Sequence, residues 1–354
     1  MRIKLRDIAE RANVSTATVS RVLNNSASVD ERTRAIVLQA LTELSYPMYQ
    51  EGILQHTGNG IVVAIRGVDS ESEPEEQKRE SQDISSFNTI IIDGIERGLR
   101  RKGLHMSLRR AIWEAPAESD LHHLTQADGV VLIGGIISVQ VIDALEQANV
   151  PFVLTAAHAG EREINCVLGD YIRGAAQATT QLVRLGHRRI AFINGPSITT
   201  TSQDKLAGYR LGLCEAGLAY DAQLITTTSE FTPNDGYQAT QDLLARTRDF
   251  SAILYAADML AIGGLRALKE ANISVPEQVS VMGFYDEPIT EFTMPTLSSV
   301  HIGWQRIGEI AAQRLVALLE RHDEERLRIS IPTTVILRDS TRSVGGNLPP
   351  TLSS

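Results

Sequence analysis

In the stretch LRDIAERANVSTATVSRVLNN, residues 5–25, apolar and small residues recur at helical spacing on both sides of an Asn turn. Leu5, Ile8 and Ala9 mark the inward face of a first helix, expected over residues 6–12. Ala9 and Ala12 are small enough to let a second helix cross closely. Asn13 makes the turn and Val14 plugs it. Ser15 can cap a second helix over 15–23 by accepting a free backbone N–H, and Val19, Val22 and Leu23 form that helix's buried side. Its other side presents Thr16, Ala17, Ser20 and Arg21. These short hydroxyl, methyl and guanidinium groups suit base edges and phosphates. A generic two-helix hairpin would not call for the basic edge, the small crossing residues and the hydroxyl-rich face together. The pattern is that of a helix-turn-helix entering a major groove.

Working outward, a third helix is expected over 31–45, with Thr33, Ile36, Val37, Ala40, Leu41 and Leu44 at inward spacing. Pro47 and Gly52 interrupt it, and residues 46–60 read as a linker with room for one short helical turn. From Ile61 the character changes. Apolar runs at 61–65, 129–134, 151–156, 189–195, 251–257 and 279–284 alternate with amphipathic segments at 90–103, 138–148, 170–186, 203–216, 234–246, 258–271 and 303–321. Continuous apolar strands between helices imply parallel sheets covered on both faces. There are too many units for one open sheet, so two α/β subdomains with a cleft between them are expected. Between the first strand and its helix, residues 67–86 carry Asp69, Glu71, Glu73, Glu75, Glu76, Glu80 and Asp83 against Lys78 and Arg79 alone. That composition reads as a solvated acidic loop, with a lid over a ligand or a partner contact as the functional alternative.

The chain has 354 residues, 43% of them hydrophobic, enough for two or three folding units with a large core. Cys166 and Cys214 are too few for a disulfide framework, and both are expected to be buried thiols. The N-terminal residues include no apolar signal region, and no apolar run approaches a membrane span, so a cytoplasmic location is expected. The net charge is −9, yet residues 1–25 hold five Arg and Lys against Asp7 and Glu10. An acidic body with a basic tip is oriented by a phosphate backbone. There is no phosphate-binding loop, no G-x-S-x-G and no H-E-x-x-H. Ile133-Gly134-Gly135 reads as a strand-end turn, and the adjacent His122 and His123 diverge on a helix. No cofactor, no metal and no catalysis are expected.

Residues 7–24 resemble the headpiece of the lactose/galactose repressor family, whose pattern runs D-[IV]-A-x-x-A-x-V-S-x-x-T-V-S-R-V-[LV]-N. Here it stands as Asp7-Ile8-Ala9, Ala12, Val14-Ser15, Thr18-Val19-Ser20-Arg21-Val22-Leu23-Asn24. The resemblance continues in Leu185-Gly186-His187-Arg188-Arg189-Ile190-Ala191, Ala207-Gly208-Tyr209, Asp258-Met259-Leu260-Ala261-Ile262-Gly263 and Pro295-Thr296-Leu297-Ser298-Ser299-Val300. It implies an all-α helix-turn-helix headpiece (1–46), a hinge (47–59), an α/β periplasmic-binding-protein-like sensor of two parallel-sheet subdomains (60–343) and a disordered tail (344–354). The implied DNA contacts are Ser15, Thr16, Ala17, Thr18, Ser20, Arg21, Asn24 and, from the hinge helix, Leu54. The family's Ala-Arg pair before that leucine is replaced by Glu51-Gly52, so the hinge helix is expected to fold weakly; Lys4 also stands where the first helix usually has a Thr cap.

The resemblance places an effector between the subdomains, against Asp286, Trp304, Tyr285, Gln203, Lys205, Asp170 and Arg173. Ala257 stands where an Asn is frequent, and Tyr285 where an Asp is. Fewer bidentate groups and two aromatic faces favour a glycoside or oligosaccharide over a free hexose. The expected function is a transcriptional repressor, a homodimer on a pseudo-palindromic operator, controlled by a carbohydrate-type effector. The absence of a leucine heptad after Arg342 argues against a tail-made tetramer. A periplasmic sugar-binding protein would need a signal peptide and no headpiece, and a sugar-processing enzyme a catalytic set.

Overall fold

The computed structural model describes residues 5–23, 29–43, 49–50, 53–54, 60–66, 87–111, 116–134, 137–320 and 325–344. The expectations for the acidic segment 67–86 and for the tail from 345 onward lie outside the described residues.

The N-terminal unit is three helices: α1 (Leu5–Ala12), α2 (Thr16–Leu23) and α3 (Glu31–Glu43). Ile8, Ala9, Ala12, Val19, Val22, Val37 and Ala40 are buried together, with Val14 and Val29 packed against them. Asn13 takes a φ of 53°, the left-handed conformation that Asn tolerates best among residues with a Cβ. It lets the Val14 N–H reach back to the Ala9 carbonyl at 3.0 Å. Ser15 Oγ accepts the Thr18 N–H at 3.0 Å at the start of α2. Asp30 does the same for α3, accepting the Thr33 N–H at 2.9 Å and its hydroxyl at 2.7 Å. Ile36, expected to face inward, is 45% exposed; neighbours on a helix point about 100° apart, and Val37 takes the inward place.

The linker differs from expectation. Leu54 lies in a strand, not a helical turn: β1 (Tyr49–Gln50) pairs antiparallel with β2 (Ile53–Leu54), Tyr49 opposite Leu54. The sequence explains the outcome, because Gly52 disfavours helix while Tyr49 and Ile53 favour extended backbone.

The sensor alternates strands and helices: β3 (Ile61–Arg66), α4 (Phe87–Arg100), β4 (Met106–Ala111), α5 (Glu118–Thr125), β5 (Gly129–Ile133), α6 (Val139–Gln147), β6 (Phe152–Thr155) and β7 (Cys166–Gly169). The chain then enters a second lobe with α7 (Tyr171–Arg184), β8 (Ile190–Asn194), α8 (Thr200–Glu215), β9 (Ile225–Thr227), α9 (Pro233–Arg246), β10 (Ala252–Tyr255), α10 (Asp258–Glu270), β11 (Ser280–Met282) and β12 (Ser299–Ile302). It returns to the first lobe for α11 (Trp304–Leu319) and β13 (Arg328–Ile331), and re-enters the second with β14 (Thr333–Ile336). The first sheet has the order β13-β7-β6-β5-β3-β4 and is wholly parallel. The second has the parallel order β11-β10-β8-β9, with β12 and β14 paired antiparallel beside it. The chain therefore crosses between lobes three times, at 169–171, 302–304 and 331–333. Side chains near those crossings stand between the lobes.

Central strands β5, β6, β8 and β10 are buried at every position, as continuous apolar runs require. Helix α4 lies against α11 so closely that a methyl group on Gly94 would collide with the Gln305 carbonyl. The Leu185-Gly186-His187 motif has a structural use. Gly186 turns the chain at φ 97°, and buried His187 ties Ser251 Oγ (2.8 Å) to the Arg342 carbonyl (3.2 Å). Burial lowers the His187 pKa, keeping the ring neutral. Cys166 is buried, which raises its thiol to about 11, whereas Cys214 is exposed on α8, against expectation. Its position on the solvent side of α8 decides this. Among the described residues, no helix is long and apolar enough to cross a membrane, and no cluster of His, Cys, Asp or Glu could hold a metal ion.

Candidate functional site

Two places gather the residues singled out from the sequence. On α2, Thr16, Ala17 and Arg21 are exposed on the face opposite buried Val19 and Val22. Thr18 is half-buried, its hydroxyl 2.9 Å from Ser15 Oγ, so these two residues close the helix start. The first turn of α2 has no acidic residue. Its free N–H groups and helix dipole therefore present an unneutralised positive end, suited to a phosphate. The side chains of Ser20 and Leu54, and all of Asn24, lie outside the described residues.

The second place is the cleft. Lys205 projects from α8 and is completely buried. Its Nζ donates to the Ala256 carbonyl at 2.8 Å and to the Tyr285 hydroxyl at 2.6 Å. Four rings surround it: Tyr285 at 4.2 Å, Phe284 at 5.0 Å, Tyr171 at 5.3 Å and Phe231 at 5.4 Å, measured to ring centroids. Each offers the negative face that attracts a cation. All of these groups belong to the second lobe.

The first lobe supplies a lid. Trp304 opens α11 and Phe87 opens α4; their rings stack at 4.8 Å and 30°. Tyr285 meets Trp304 edge-on at 5.3 Å and Phe87 at 5.7 Å, and the Trp304 Nε1–H donates to the Tyr285 carbonyl at 3.3 Å. Tyr285 (φ 109°) and Asp286 (φ 55°) both occupy the left-handed region. That strain at residues with a Cβ is characteristic of positions held for a purpose.

Other contacts join the lobes. The Tyr171 hydroxyl donates to the Ala156 carbonyl at 2.9 Å, and burial drives its pKa well upward. His158 Nε2 lies 3.1 Å from Asp204 Oδ2, which Arg328 approaches at 3.5 Å, and the Thr200 hydroxyl donates to the His158 carbonyl at 3.0 Å. Within the second lobe, Asp258 is buried at the start of α10, where it accepts the Ser299 hydroxyl at 2.6 Å and the Glu287 N–H at 2.8 Å. Burial outweighs those bonds and raises its pKa well above the carboxylate range.

Lys205, Tyr285 and Trp304 thus come together, while the other four expected effector residues have separate settings. Asp286 is held by Arg338 Nη1 at 2.7 Å and His301 Nδ1 at 2.9 Å. Gln203 is exposed and donates to the Ser197 carbonyl at 3.0 Å. Asp170 caps α7 by accepting the Arg173 N–H at 3.0 Å. Arg173 lines a surface groove of about 430 Å³ between α7 and β14, together with Gln177, Arg184 and Thr334. Phe87, Tyr171, Phe231, Phe284, His158 and Asp204 were not singled out from the sequence. Isolated aromatics at element boundaries look like core residues, and no spacing rule links six positions spread over six separate segments.

The profile described as "Bacterial regulatory proteins, lacI family" matches residues 4–47, and that of a periplasmic binding protein-like domain matches 179–341. The chain is 31% identical over 343 residues to the HTH-type transcriptional regulator CelR of Thermobifida fusca, covering 94% of this chain and 96% of that one. It is 30% identical over 329 residues to the regulator AscG of Escherichia coli K12, with 90% and 92% covered. A solved complex of CelR with cellobiose superposes with a TM-score of 0.70 at 29% identity, over 96% of this chain and 100% of that one. The lac repressor dimer bound to operator and the anti-inducer ONPF has the same fold, with a TM-score of 0.67 at 23% identity and 97% and 100% covered. A helix-turn-helix with an open polar face, a two-lobed sensor crossed three times, and similarity along nearly the whole length agree: the chain belongs to the lacI family of transcriptional regulators.

Proposed function

We propose that this DNA-binding regulator is a cytoplasmic repressor that acts as a homodimer on a pseudo-palindromic operator, turns over no substrate, and answers to a carbohydrate bound between its lobes. The observation that carries the effector reading is the aromatic assembly contributed by both lobes, in which Tyr285 and Phe284 face Lys205 while Phe87 and Trp304 close over Tyr285. Aromatic faces pack on the C–H faces of sugars, and a donor among them orients hydroxyl or ring oxygens. A ligand wedged at this point would reset the angle between lobes. The cellobiose complex of a similar regulator supports the class and favours a glycoside or oligosaccharide. The DNA contacts are assigned to Ser15, Thr16, Ala17, Thr18, Ser20, Arg21, Asn24 and Leu54. The effector contacts are assigned to Tyr285, Trp304 and Lys205 and, from the family resemblance alone, to Asp286, Gln203, Asp170 and Arg173.

Calorimetry of the full chain with mono- and disaccharides, purines and amino acids tests this reading. A saccharide should bind, and Trp304→Ala should weaken it. Tight binding of a purine or amino acid, with none of any saccharide, would overturn it.

A further inference from the structure

The Lys205 amine at the centre of the cleft has no counter-charge. Among the described residues no carboxylate lies within ion-pairing distance of Lys205 Nζ, although three acidic residues stand nearby or along the same cleft. Each is engaged elsewhere: Asp204 with His158 and Arg328, Asp258 with Ser299 and the Glu287 N–H, Asp286 with Arg338 and His301. Two hydrogen bonds use two of the three ammonium protons, and the third has no acceptor among the described residues. A buried ammonium is costly unless it is both paired and hydrogen-bonded. Here aromatic faces supply part of the compensation. Burial pushes Lys205 well below its ordinary range, with Asp204 and Asp258 only opposing that effect.

The geometry also shows how the charge is reached. Both hydrogen-bond partners and all four rings around Nζ move with the second lobe, so the box stays whole when the lobes part. Only Phe87 and Trp304, which cover Tyr285 from the first lobe, are withdrawn. Opening therefore uncovers a preformed amine site among aromatic faces, where an arriving anion favours the protonated form. The neighbouring carboxylates oppose an incoming anion little, because Arg328 stands against Asp204 and burial favours the protonated form of Asp258.

We infer that the carbohydrate effector bears an anionic group, a carboxylate or a phosphate, which Lys205 receives while the sugar rings pack on the aromatic faces. This rests on the carbohydrate reading above and narrows it to acidic saccharides.

The test is calorimetry on the full chain with matched members of several disaccharide series (gluco, galacto and xylo). Each neutral sugar is paired with its uronate and its phosphate ester. In the series that binds, the uronate or the phosphate should bind about tenfold more tightly or better than the neutral sugar. The stronger of the two identifies the source of the charge. In Lys205→Met, and in Lys205→Gln, which keeps a donor without the charge, the advantage of the acidic sugar over its neutral partner should vanish. Melting curves and operator binding establish that each variant is folded. Equal or tighter binding of the neutral sugar, or a preference that survives in both folded variants, overturns the inference and leaves the carbohydrate reading standing. Failure of every saccharide to bind the wild-type chain overturns both.

Discussion

On α2 the side chains of Thr16, Ala17 and Arg21 stand in solvent, while in the cleft Lys205, Tyr285 and Trp304 bond and stack with one another and Asp286 is held by His301 and Arg338. The first arrangement is ready to bind as it stands. The second must exchange internal contacts for ligand contacts, so binding there is tied to movement between lobes. A regulator needs this asymmetry: a rigid reading head, and a sensor whose occupied and empty states differ in shape.

The comparison breaks most severely if the reading head loses its core. Val19 is completely buried beneath the exposed face of α2. Val19→Asp places an unpaired charge there, at a cost of several kcal/mol that so small a core cannot absorb. Operator binding, measured by fluorescence anisotropy, should disappear while effector calorimetry is unchanged. A variant that still binds DNA would show that the headpiece is not held as described.

Arg21→Ala should have the next largest effect. It removes an exposed guanidinium without touching the core, and a base contact of this kind is worth about 1–3 kcal/mol. Operator affinity should fall roughly 10- to 100-fold with an unaltered melting curve. Substitutions at Thr16 or Ala17 should change the preferred operator sequence. Wild-type affinity should fall with salt at a log–log slope of about −0.9 per phosphate neutralised. Salt-independent binding would contradict the phosphate contacts.

Part of this asymmetry is legible in the sequence and part is not. The headpiece is local: its cap, turn, crossing residues and exposed face lie within residues 5–25, at spacings fixed by helix geometry. The buried central strands also announce themselves, since apolar runs such as Val130–Leu132 leave few alternatives. Edge elements do not. Strand β4 carries MSLRRA with Leu108 half exposed, and β12 and β14 mix Thr, Ser and His with aliphatics, so none forms a continuous apolar run. The cleft is harder still. Lys205 could be named from its place in a motif, but its aromatic box joins residues from α7, α8, the β9–α9 loop and the segment after β11. Asp170 and Arg173 could be named by position, but that Asp170 caps α7 and Arg173 lines a surface groove could not be, because a motif fixes where a residue stands and not which way it faces.

Acid should affect the two regions in different pH windows, and these are the smallest effects. Buried His187 has a lowered pKa, so it contributes stability that is present above its unfolded value of 6.5 and lost as pH falls through the folded value. Sensor melting temperature should begin to drop as pH falls below about 6.5, and His187→Gln should flatten that slope. Asp30, held below its ordinary 3.8 by its bonds to Thr33, contributes to the headpiece above that value and loses its contribution only as pH falls through the lower folded pKa. Circular dichroism of the helices and near-ultraviolet signals of the sensor separate the two responses. A headpiece that melted first on acidification would contradict these assignments.

The central claim, that a carbohydrate in the cleft governs DNA binding, is tested most directly by titrating saccharides into the full chain bound to labelled operator and following anisotropy. The account predicts that the saccharide which binds the sensor shifts operator affinity in the wild type. In Trp304→Ala, operator affinity without saccharide should be unchanged, and the shift should require a much higher sugar concentration or be lost. A saccharide that binds the sensor tightly yet leaves operator affinity the same, or a shift undiminished in Trp304→Ala, would contradict it.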